Sequence, residues 1–202
     1  MCIRDRATAV SWTSPPALIV CGGKDQSDKT TTVVEVYHSW TSQWHVASPL
    51  PFPCSHIMYT VVHNSLFIMG GLASRLLSTK SVMFTSVPNL LDMCLQPPQL
   101  DNTEGQWQRL PDTPHYCSGA ASLGGCLLAV GGQSRPYAGT VYTSVHAYCP
   151  SSSSWLHVGD LPQPHTDCGA VTLPTGELVV IGGEEANFAA STAVYKGSFL
   201  FE

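Results

Sequence analysis

The sequence predicts an all-β fold that is built from repeats of about fifty residues. An apolar run that ends in two glycines occurs four times, and its first glycine falls at Gly22, Gly70, Gly131 and Gly182. Recurrence at such a period indicates a repeat architecture. Glycine occurs 17 times and proline 15 times while only 11% of the residues are charged, which suits short strands joined by turns. Because no segment shows a sustained helical apolar period, we expect helices to be rare.

Each repeat provides four short strands, which we name A to D in chain order. In the third repeat they are the segments "AASLG", "LLAVGG", "SVHAY" and "SWLHV". Strand B is a continuous apolar run bounded by glycines, which is typical of a strand buried on both faces. The two glycines end it because they permit a turn with positive φ or a close backbone approach. Strand C ends at an aromatic residue, and strand D starts beside a tryptophan.

The first and third repeats agree most closely. Trp44 follows Tyr37 by seven residues, and Trp155 follows Tyr148 by the same interval. A Leu-Pro sequence comes after each tryptophan, in "PLPFP" and "LPQP". The order of these elements is therefore kept as well as their types.

The second and fourth repeats depart from this pattern. The second has Phe84 where a tyrosine is expected, and an insertion of about 16 residues precedes Trp107. The fourth has Tyr195 but no tryptophan after it. We expect the insertion to lie between strands C and D of the second repeat.

A diglycine after an apolar strand, followed in order by tyrosine, tryptophan and Leu-Pro, resembles the kelch repeat. The resemblance covers nearly all of residues 7–202. It implies a kelch-type β-propeller, here a partial ring of about four four-stranded antiparallel blades. It also implies that the repeat aromatics pack within and between blades and do not form a site. These residues are Tyr37, Trp44, Trp107, Tyr148, Trp155 and Tyr195.

The repeats predict four blades, the last of them incomplete, after a short non-native or disordered tail that matches no repeat element. A partial ring exposes two apolar blade faces. We therefore expect the chain to be a fragment of a longer one and to self-associate in isolation. The predicted bounds are 1–6 for the tail, 7–53 for blade 1, 54–113 for blade 2 with its insertion near 85–105, 114–164 for blade 3 and 165–202 for blade 4.

Strand direction alternates, so each connection from strand D to the next strand A lies at the same end of the blades as the B–C loops. In repeat folds, binding residues sit on loops that a rigid scaffold carries, and the kelch resemblance implies that this end faces the partner. Arginine and tyrosine contribute most to protein contacts. The predicted partner-binding residues are Arg75, Arg135 and Tyr137 in B–C loops, and His56, His115, Tyr116, His165 and Asp167 in D–A connections.

Each D–A connection also combines one histidine with one cysteine, which raises the question of a metal. A zinc site needs about four converging ligands, whereas equivalent positions on neighbouring blades are held apart. We therefore predict no metal and no cofactor. We expect each cysteine to be a small buried residue at the start of strand A, and each histidine to lie at the loop surface. The pairs are Cys54 with His56, His115 with Cys117, and His165 with Cys168.

The bulk properties argue against several classes of partner and compartment. The net charge of −5 gives no electrostatic reason to expect nucleic acid or an anionic membrane as partner. No apolar run approaches the ~18 residues of a membrane span, and the first residues lack the apolar stretch of a signal peptide. The eight cysteines are widely spaced and form no CxxC pair. We therefore expect reduced, mostly buried thiols and a cytoplasmic protein.

These features predict a non-catalytic interaction module that binds another protein, within a larger scaffold or substrate adaptor. Kelch-like propellers are often joined to domains such as the BTB dimerisation domain of ubiquitin-ligase adaptors, and no such domain is visible in these 202 residues. One alternative is a propeller enzyme of the galactose-oxidase or sugar-processing type. The segment "HYC" has the residue types of its copper site, but no second cluster completes it. The other alternative is a carbohydrate-binding propeller that uses aromatic loop residues.

Overall fold

The computed structural model describes residues 4–74, 77–94, 107–116, 118–135, 139–150 and 153–198. Within these residues the chain folds into successive antiparallel sheets, one for each repeat of the sequence. The predicted all-β fold class is confirmed, and helices are rare as expected. The one helix of the described residues is α1 (Val87–Cys94), which lies in the second repeat.

Three of the sheets have four strands and the fourth has three among the described residues, in the spatial order A to D. Blade 1 consists of β1 (Thr8–Thr13), β2 (Pro16–Cys21), β3 (Val34–His38) and β4 (Gln43–Ala47). Blade 2 consists of β5 (Met58–Val62), β6 (Ser65–Met69), the small hairpin β7 (Leu72–Ser74) and β8 (Leu77–Ser78), β9 (Val82–Ser86) and β10 (Gln108–Leu110). Blade 3 consists of β11 (Gly119–Leu123), β12 (Cys126–Val130), β13 (Ser144–Tyr148) and β14 (Trp155–Asp160). Blade 4 consists of β15 (Gly169–Thr172), β16 (Glu177–Ile181) and β17 (Val194–Ser198).

The A strands of the four blades lie side by side around a shared axis. Strand β5 contacts β1 and β11, and β11 also contacts β15. Together these strands line a cavity of about 500 Å³. Strands B to D follow outward in each sheet, which is the radial arrangement of a β-propeller. The loops are therefore gathered at the two ends of the cavity.

Apolar side chains fill the space between neighbouring blades, and strand β12 shows why strand B is apolar throughout. All five of its residues are buried. Leu128 packs in the cluster shared with blade 4, and Leu127 packs in the cluster shared with blade 2. Full burial of each leucine stabilises the fold by roughly 2 kcal/mol. An unbroken apolar run is thus what a strand with neighbours on both faces requires.

Helix α1 lies in the predicted insertion of blade 2 and fastens that blade to blade 1. Ser86 caps the helix, because its Oγ accepts a hydrogen bond from the amide of Asn89 at 3.5 Å. The helix packs against β4, and Val87, Leu90 and Leu91 are buried in the core that blades 1 and 2 share. The insertion therefore adds to the contact between the two blades.

The aromatics of the regular repeats pack as the resemblance implied. Tyr37 and Trp44 lie opposite each other in blade 1 with ring centroids 5.4 Å apart, and Tyr148 and Trp155 do so in blade 3 at 5.6 Å. Trp155 also donates a hydrogen bond from Nε1 to the carbonyl of Pro111, at 3.1 Å, in the connection that leaves blade 2. The tryptophan of one blade thus reaches the preceding blade.

Two predicted aromatic equivalences are wrong. In blades 1 and 3 the tyrosine lies opposite the first leucine of strand B. In blade 2 this position holds Thr85, one residue after Phe84, and in blade 4 it holds Gly197, two residues after Tyr195. Equivalent positions in two blades are those that pair with the same residue of strand B, and this pairing depends on the register of the sheet. An aromatic side chain alone therefore does not show which position of strand C it occupies.

Arg4 and Asp5 belong to blade 1, so the prediction that residues 1–6 form a tail outside the fold is wrong for this part of it. Asp5 and Lys24 exchange two backbone hydrogen bonds, of 3.0 and 2.7 Å. The Arg4 guanidinium donates to three backbone carbonyls of blade 1 and to the Glu35 carboxylate, at 2.7 Å from the latter. Because Asp5 pairs with Lys24, which follows the first diglycine, this segment forms part of the end of the blade 1 sheet. The preceding three residues lie outside the described part of the chain.

The cysteines are buried as expected, but the described ones are not all reduced. Cys21, Cys54 and Cys168 are free thiols that are at most 1% exposed. Cys126, at the start of β12, and Cys149, just after β13, form a disulfide in blade 3. The expectation of reduced thiols is wrong for this pair, because spacing along the sequence does not reveal which residues lie opposite each other in a sheet.

Candidate docking face

We call the end of the blades that carries the D–A connections and the B–C loops the docking face. Backbone pairing fastens the two sets of loops to each other in every blade. In blade 3, Tyr116 of the connection pairs with Gln133, the residue after the diglycine, and Gln133 pairs in turn with Val141 at the end of the loop. Blades 1 and 4 repeat both bridges, and in blade 2 Ser55 pairs with the first residue of the β7–β8 hairpin. The structure thus brings together the loops that strand alternation predicts to be neighbours.

The diglycine makes this end compact, and blade 3 shows how. Gly131 and Gly132 have φ angles of 63° and 101°, which other residues adopt only with strain. A Cβ atom on Gly131 would clash with the carbonyl of His165 in the next blade, and the amide of Gly132 donates to that carbonyl at 2.8 Å. Gly23 donates to Cys54 of blade 2 in the same way, at 2.8 Å. The diglycine recurs because the positive φ of the turn and the close contact with the next blade both disfavour a side chain at these positions.

One position of each D–A connection places its side chain under the loop. It lies four residues before strand A, and its occupants in blades 1 to 4 are Arg4, Cys54, His115 and His165. His165 is 1% exposed, and its Nε2 lies 3.0 Å from Ser191 Oγ. The prediction that this histidine lies at the loop surface is therefore wrong, because its ring fills the space beneath the connection and forms a hydrogen bond there.

His115 holds the equivalent place in blade 3 and is half-buried. Its Nε2 lies 3.0 Å from Ser144 Oγ, and its ring stacks on Tyr142 with the centroids 3.9 Å apart. Burial, and next the positive charges that His146 and Lys80 can carry, lower the pKa of His115 from 6.5 to about 4. The ring is therefore neutral at physiological pH, and it positions the loop without adding a charge to the face.

The residue two places further on forms a corner with positive φ. Arg6, His56 and Asp167 hold this corner in blades 1, 2 and 4, with φ angles of 55°, 53° and 52°. Burial, then the charges of Arg6 and Lys24, lower the pKa of His56. His56 and Asp167 are thus true equivalents at the face, whereas His56 and His165 are not. This explains why the order of histidine and cysteine changes between connections.

Tyr116 lies between blades 2 and 3 on the docking face. Lys80 of blade 2 places its Nζ over the Tyr116 ring, 5.4 Å from the centroid, within the range of a cation–π interaction. Arg135 lies on the B–C loop of blade 3 and is exposed. The other two predicted B–C residues, Arg75 and Tyr137, lie outside the described residues.

A group of charged side chains that the sequence did not lead us to expect lies at the blade 1 part of this face. Lys24 Nζ lies 2.8 Å from Asp28, and Arg6 lies 3.9 Å from Asp28 and 3.1 Å from Asp5. A signal for the connection residues was present, since the segment 4–6 stands at the same distance before strand A as the connection residues of the other blades. Alignment of the repeats on the first residue of strand A would have identified Arg4, Asp5 and Arg6 as connection residues.

The described residues contain no group of three or more histidine, cysteine, aspartate or glutamate side chains placed to hold a metal ion. Within the segment "HYC", His115 is bonded to Ser144 and Tyr116 lies under Lys80, while Cys117 lies outside the described residues. The described part of the chain also offers no helix with the length and apolar character needed to cross a membrane.

Comparison with known proteins adds a family match and several relatives. A family model described as Kelch motif matches residues 114–162, which contain blade 3. Human Kelch repeat and BTB domain-containing protein 13 is 30% identical over 125 residues, which are 60% of this chain and 24% of that protein. Kelch-like protein 26 of Danio rerio is 27% identical over 151 residues, which are 72% of this chain and 23% of that protein. Kelch-like protein 38 of the same fish is 28% identical over 85 residues, which are 39% of this chain and 15% of that protein.

Solved structures give the same fold. The structure of YjhT superposes with a TM-score of 0.71 over 92% of this chain and 64% of that chain, at 14% sequence identity. Similarity at this identity concerns the arrangement of strands alone. The chain spans about a quarter or less of the length of the curated relatives that it matches.

Proposed function

We propose that this chain is a kelch-repeat protein–protein interaction module that binds its partner at the docking face. The observation that carries the proposal is the backbone pairing that fastens each D–A connection to the B–C loop beside it. Loop backbone that is already paired loses little conformational freedom when it binds. Side chains on such loops are therefore well placed to form a specific interface.

The predicted contact residues support this face to different degrees. Arg135 is exposed, and His56, Tyr116 and Asp167 are partly exposed around the same end of the blades. Arginine and tyrosine are enriched among residues that dominate protein interfaces. His115 and His165 instead support the loops from beneath, as the hydrogen bonds to Ser144 and Ser191 indicate. We assign these two histidines a positioning role in the interaction.

We further propose that the chain is part of a larger cytoplasmic scaffold or substrate adaptor and has no catalytic role of its own. The curated relatives are kelch-repeat proteins of which it spans about a quarter or less, and the name of the human relative includes a BTB domain. Further blades of the parent chain would cover the apolar faces that end this partial ring. In isolation, those faces would instead drive self-association.

The proposal is tested by comparing three forms of the chain in affinity capture with quantitative mass spectrometry. The docking-face variant combines Arg75→Ala, Arg135→Ala and Tyr137→Ala. A matched control at the opposite end combines Thr41→Ala, Asn64→Ala and Thr175→Ala, all at exposed turn positions. We expect specific partners to be captured by the wild type and the control and to fall by about tenfold or more with the docking-face variant, since tenfold corresponds to ~1.4 kcal/mol.

A second variant examines the D–A connections of the same face. It combines Tyr116→Ala with His56→Asn and Asp167→Asn, because asparagine tolerates the positive φ of the two corner residues. Urea midpoints equal to the wild type would show that the blades are intact. Undiminished capture by both docking-face variants would contradict the choice of face.

A further inference from the structure

The disulfide of blade 3 joins two residues that lie opposite each other at the end of a strand pair. Leu127 of β12 lies opposite Tyr148 of β13, and Cys126 and Cys149 form the next pair along the same two strands, with Cα atoms 4.4 Å apart. Cys126 is 8% exposed and packs in the core shared with blade 4. Cys149 is partly exposed, where the chain leaves β13 for the turn to β14.

The fold itself does not require a crosslink at this position. The equivalent pair is Ala17 with His38 in blade 1, Ser65 with Ser86 in blade 2 and Glu177 with Ser198 in blade 4. These three blades form the same strand pair without a sulfur bridge. The cysteine pair of blade 3 is therefore an addition to a sheet that is complete without it.

The other described cysteines are placed very differently from Cys149. Cys21, Cys54 and Cys168 are fully buried, and burial raises their pKa to about 12, about 12 and about 11. A thiol reacts as its thiolate and must be reached by its reaction partner. These three thiols meet neither condition, whereas Cys149 is partly exposed at the end of β13.

We propose that Cys126 and Cys149 form a reversible thiol–disulfide site that exchanges with low-molecular-weight disulfides. The Cys149 thiolate attacks one sulfur of the small disulfide, forms a mixed disulfide and expels one small thiolate. The Cys126 thiolate then attacks the Cys149 sulfur and expels the second. Two protein thiols are oxidised to one disulfide, the small disulfide is reduced to two thiols, and these take up the two protons that the cysteines lose.

Oxidation of this pair closes a covalent ring of the chain that includes one B–C loop of the docking face. The ring contains β12, the B–C loop with Arg135, and β13. Backbone hydrogen bonds already hold the two strands together, so the bond acts mainly by suppressing local opening at the end of the pair. The link to partner binding rests on the proposed function, whereas the redox site itself does not.

Redox titration of the whole 202-residue chain tests the site. The protein is equilibrated in buffers from fully reduced to fully oxidised glutathione, quenched, denatured and alkylated for mass spectrometry. We expect the peptides of Cys126 and Cys149 to change together from alkylated to bridged within this series, while Cys21, Cys54 and Cys168 stay thiols throughout. A pair that never bridges, or one that stays bridged in fully reduced glutathione, would overturn the proposal.

The variant Cys126→Ser with Cys149→Ser is the matched control, because blade 2 shows that two serines fit this position. Hydrogen exchange of the β13 amides should be about tenfold or more slower in oxidised than in reduced wild type, and should not respond to glutathione in the variant. Equal exchange in the oxidised and reduced wild type would refute the proposed suppression of local opening by the disulfide. Partner capture by the wild type in both buffers then tests the docking link separately, since the alkylation result does not depend on it.

Discussion

Blade 4 and the other three blades carry similar apolar residues at the end of strand B and the start of strand C. These residues are exposed to solvent in blade 4 and buried in the other blades. In each blade the last residue of strand B lies opposite a valine that is the first or second residue of strand C. In blade 4 these residues, Ile181 and Val194, are 51% and 62% exposed. In the first three blades none of them is more than 3% exposed; they are Cys21 with Val34, Met69 with Val82, and Val130 with Val145.

This difference shows that the repeat sequence specifies an apolar face and that the neighbouring blade decides whether the face is buried. The tryptophans of strand D show the same dependence at the first blade. Trp44 in blade 1 has no described preceding blade and is 51% exposed, whereas Trp155 in blade 3 hydrogen-bonds to the connection that leaves blade 2. Substitutions at matched positions test how far stability and association depend on the neighbouring blade.

The largest difference is expected between two valines at one repeat position. Val145→Asp places a carboxylate without a partner in the core between blades 3 and 4, and should cost about 4 kcal/mol or more. Val194→Asp places it at a 62% exposed position and should change stability by less than about 0.5 kcal/mol. Urea unfolding followed by tryptophan fluorescence measures both. Equal losses would show that the face of blade 4 is covered in solution.

Self-association should depend on that same exposed face. Replacing Ile181 and Val194 together by lysine removes apolar area and adds like charges, so we expect association to weaken by about tenfold, or ~1.4 kcal/mol. Light scattering over a concentration series gives the molar mass of wild type and variant. A wild-type chain that stays a well-behaved monomer throughout would contradict this expectation.

Replacement of Trp155 and of Trp44 should lower stability by amounts that differ by about the contribution of one hydrogen bond. Trp155→Phe removes the 3.1 Å bond to the carbonyl of Pro111 and should cost about 1 kcal/mol. Trp44→Phe changes a residue at the open end and should cost less than about 0.5 kcal/mol. Thermal unfolding followed by circular dichroism compares the two variants. If Trp44→Phe is the more harmful change, tryptophans do not stabilise the contacts between blades in the way described.

The smallest effect concerns the acid stability of the connection that leads from blade 2 into blade 3. The folded pKa of His115, about 4, is below its ordinary 6.5, so the unfolded chain binds more protons between these values and stability falls as pH drops from about 6.5 towards 4. We expect His115 to contribute a loss of about 1 kcal/mol or less between pH 7.5 and 5.5.

Urea midpoints at the two pH values measure this loss. His115→Asn should flatten the dependence on pH, and His63→Asn, at an exposed turn, is the control that should leave it as in the wild type. An unchanged slope in His115→Asn would assign the acid sensitivity to other groups.

Sequence reasoning succeeded for features that depend on a few adjacent residues. The four apolar runs and their diglycines located strand B of every blade, and the Tyr37–Trp44 and Tyr148–Trp155 intervals located strands C and D of two blades. It failed at Tyr195, whose position depends on which residue it faces across the sheet. Periodicity shows that a strand exists, whereas register depends on pairing over longer range.

The candidate site was less predictable than the fold. His115 and His165 were predicted to lie at the loop surface, but the ring of His115 hydrogen-bonds to Ser144 at the start of β13 and that of His165 to Ser191 in the B–C loop of blade 4. Arg4 escaped notice because its side chain is held by blade 1 groups that are 16 to 31 residues away. Partners at such separations cannot be read from local composition.

The repeat, the strand composition and the glycine turns follow from the amino-acid sequence, because φ preferences and apolar periodicity act within a few residues. The tertiary structure alone decided which blade faces are covered, which histidines lie beneath the loops, and that Cys126 meets Cys149. Burial and pairing of this kind arise only when segments distant in the chain are brought side by side, and one sequence can indicate the need for a neighbour without identifying it.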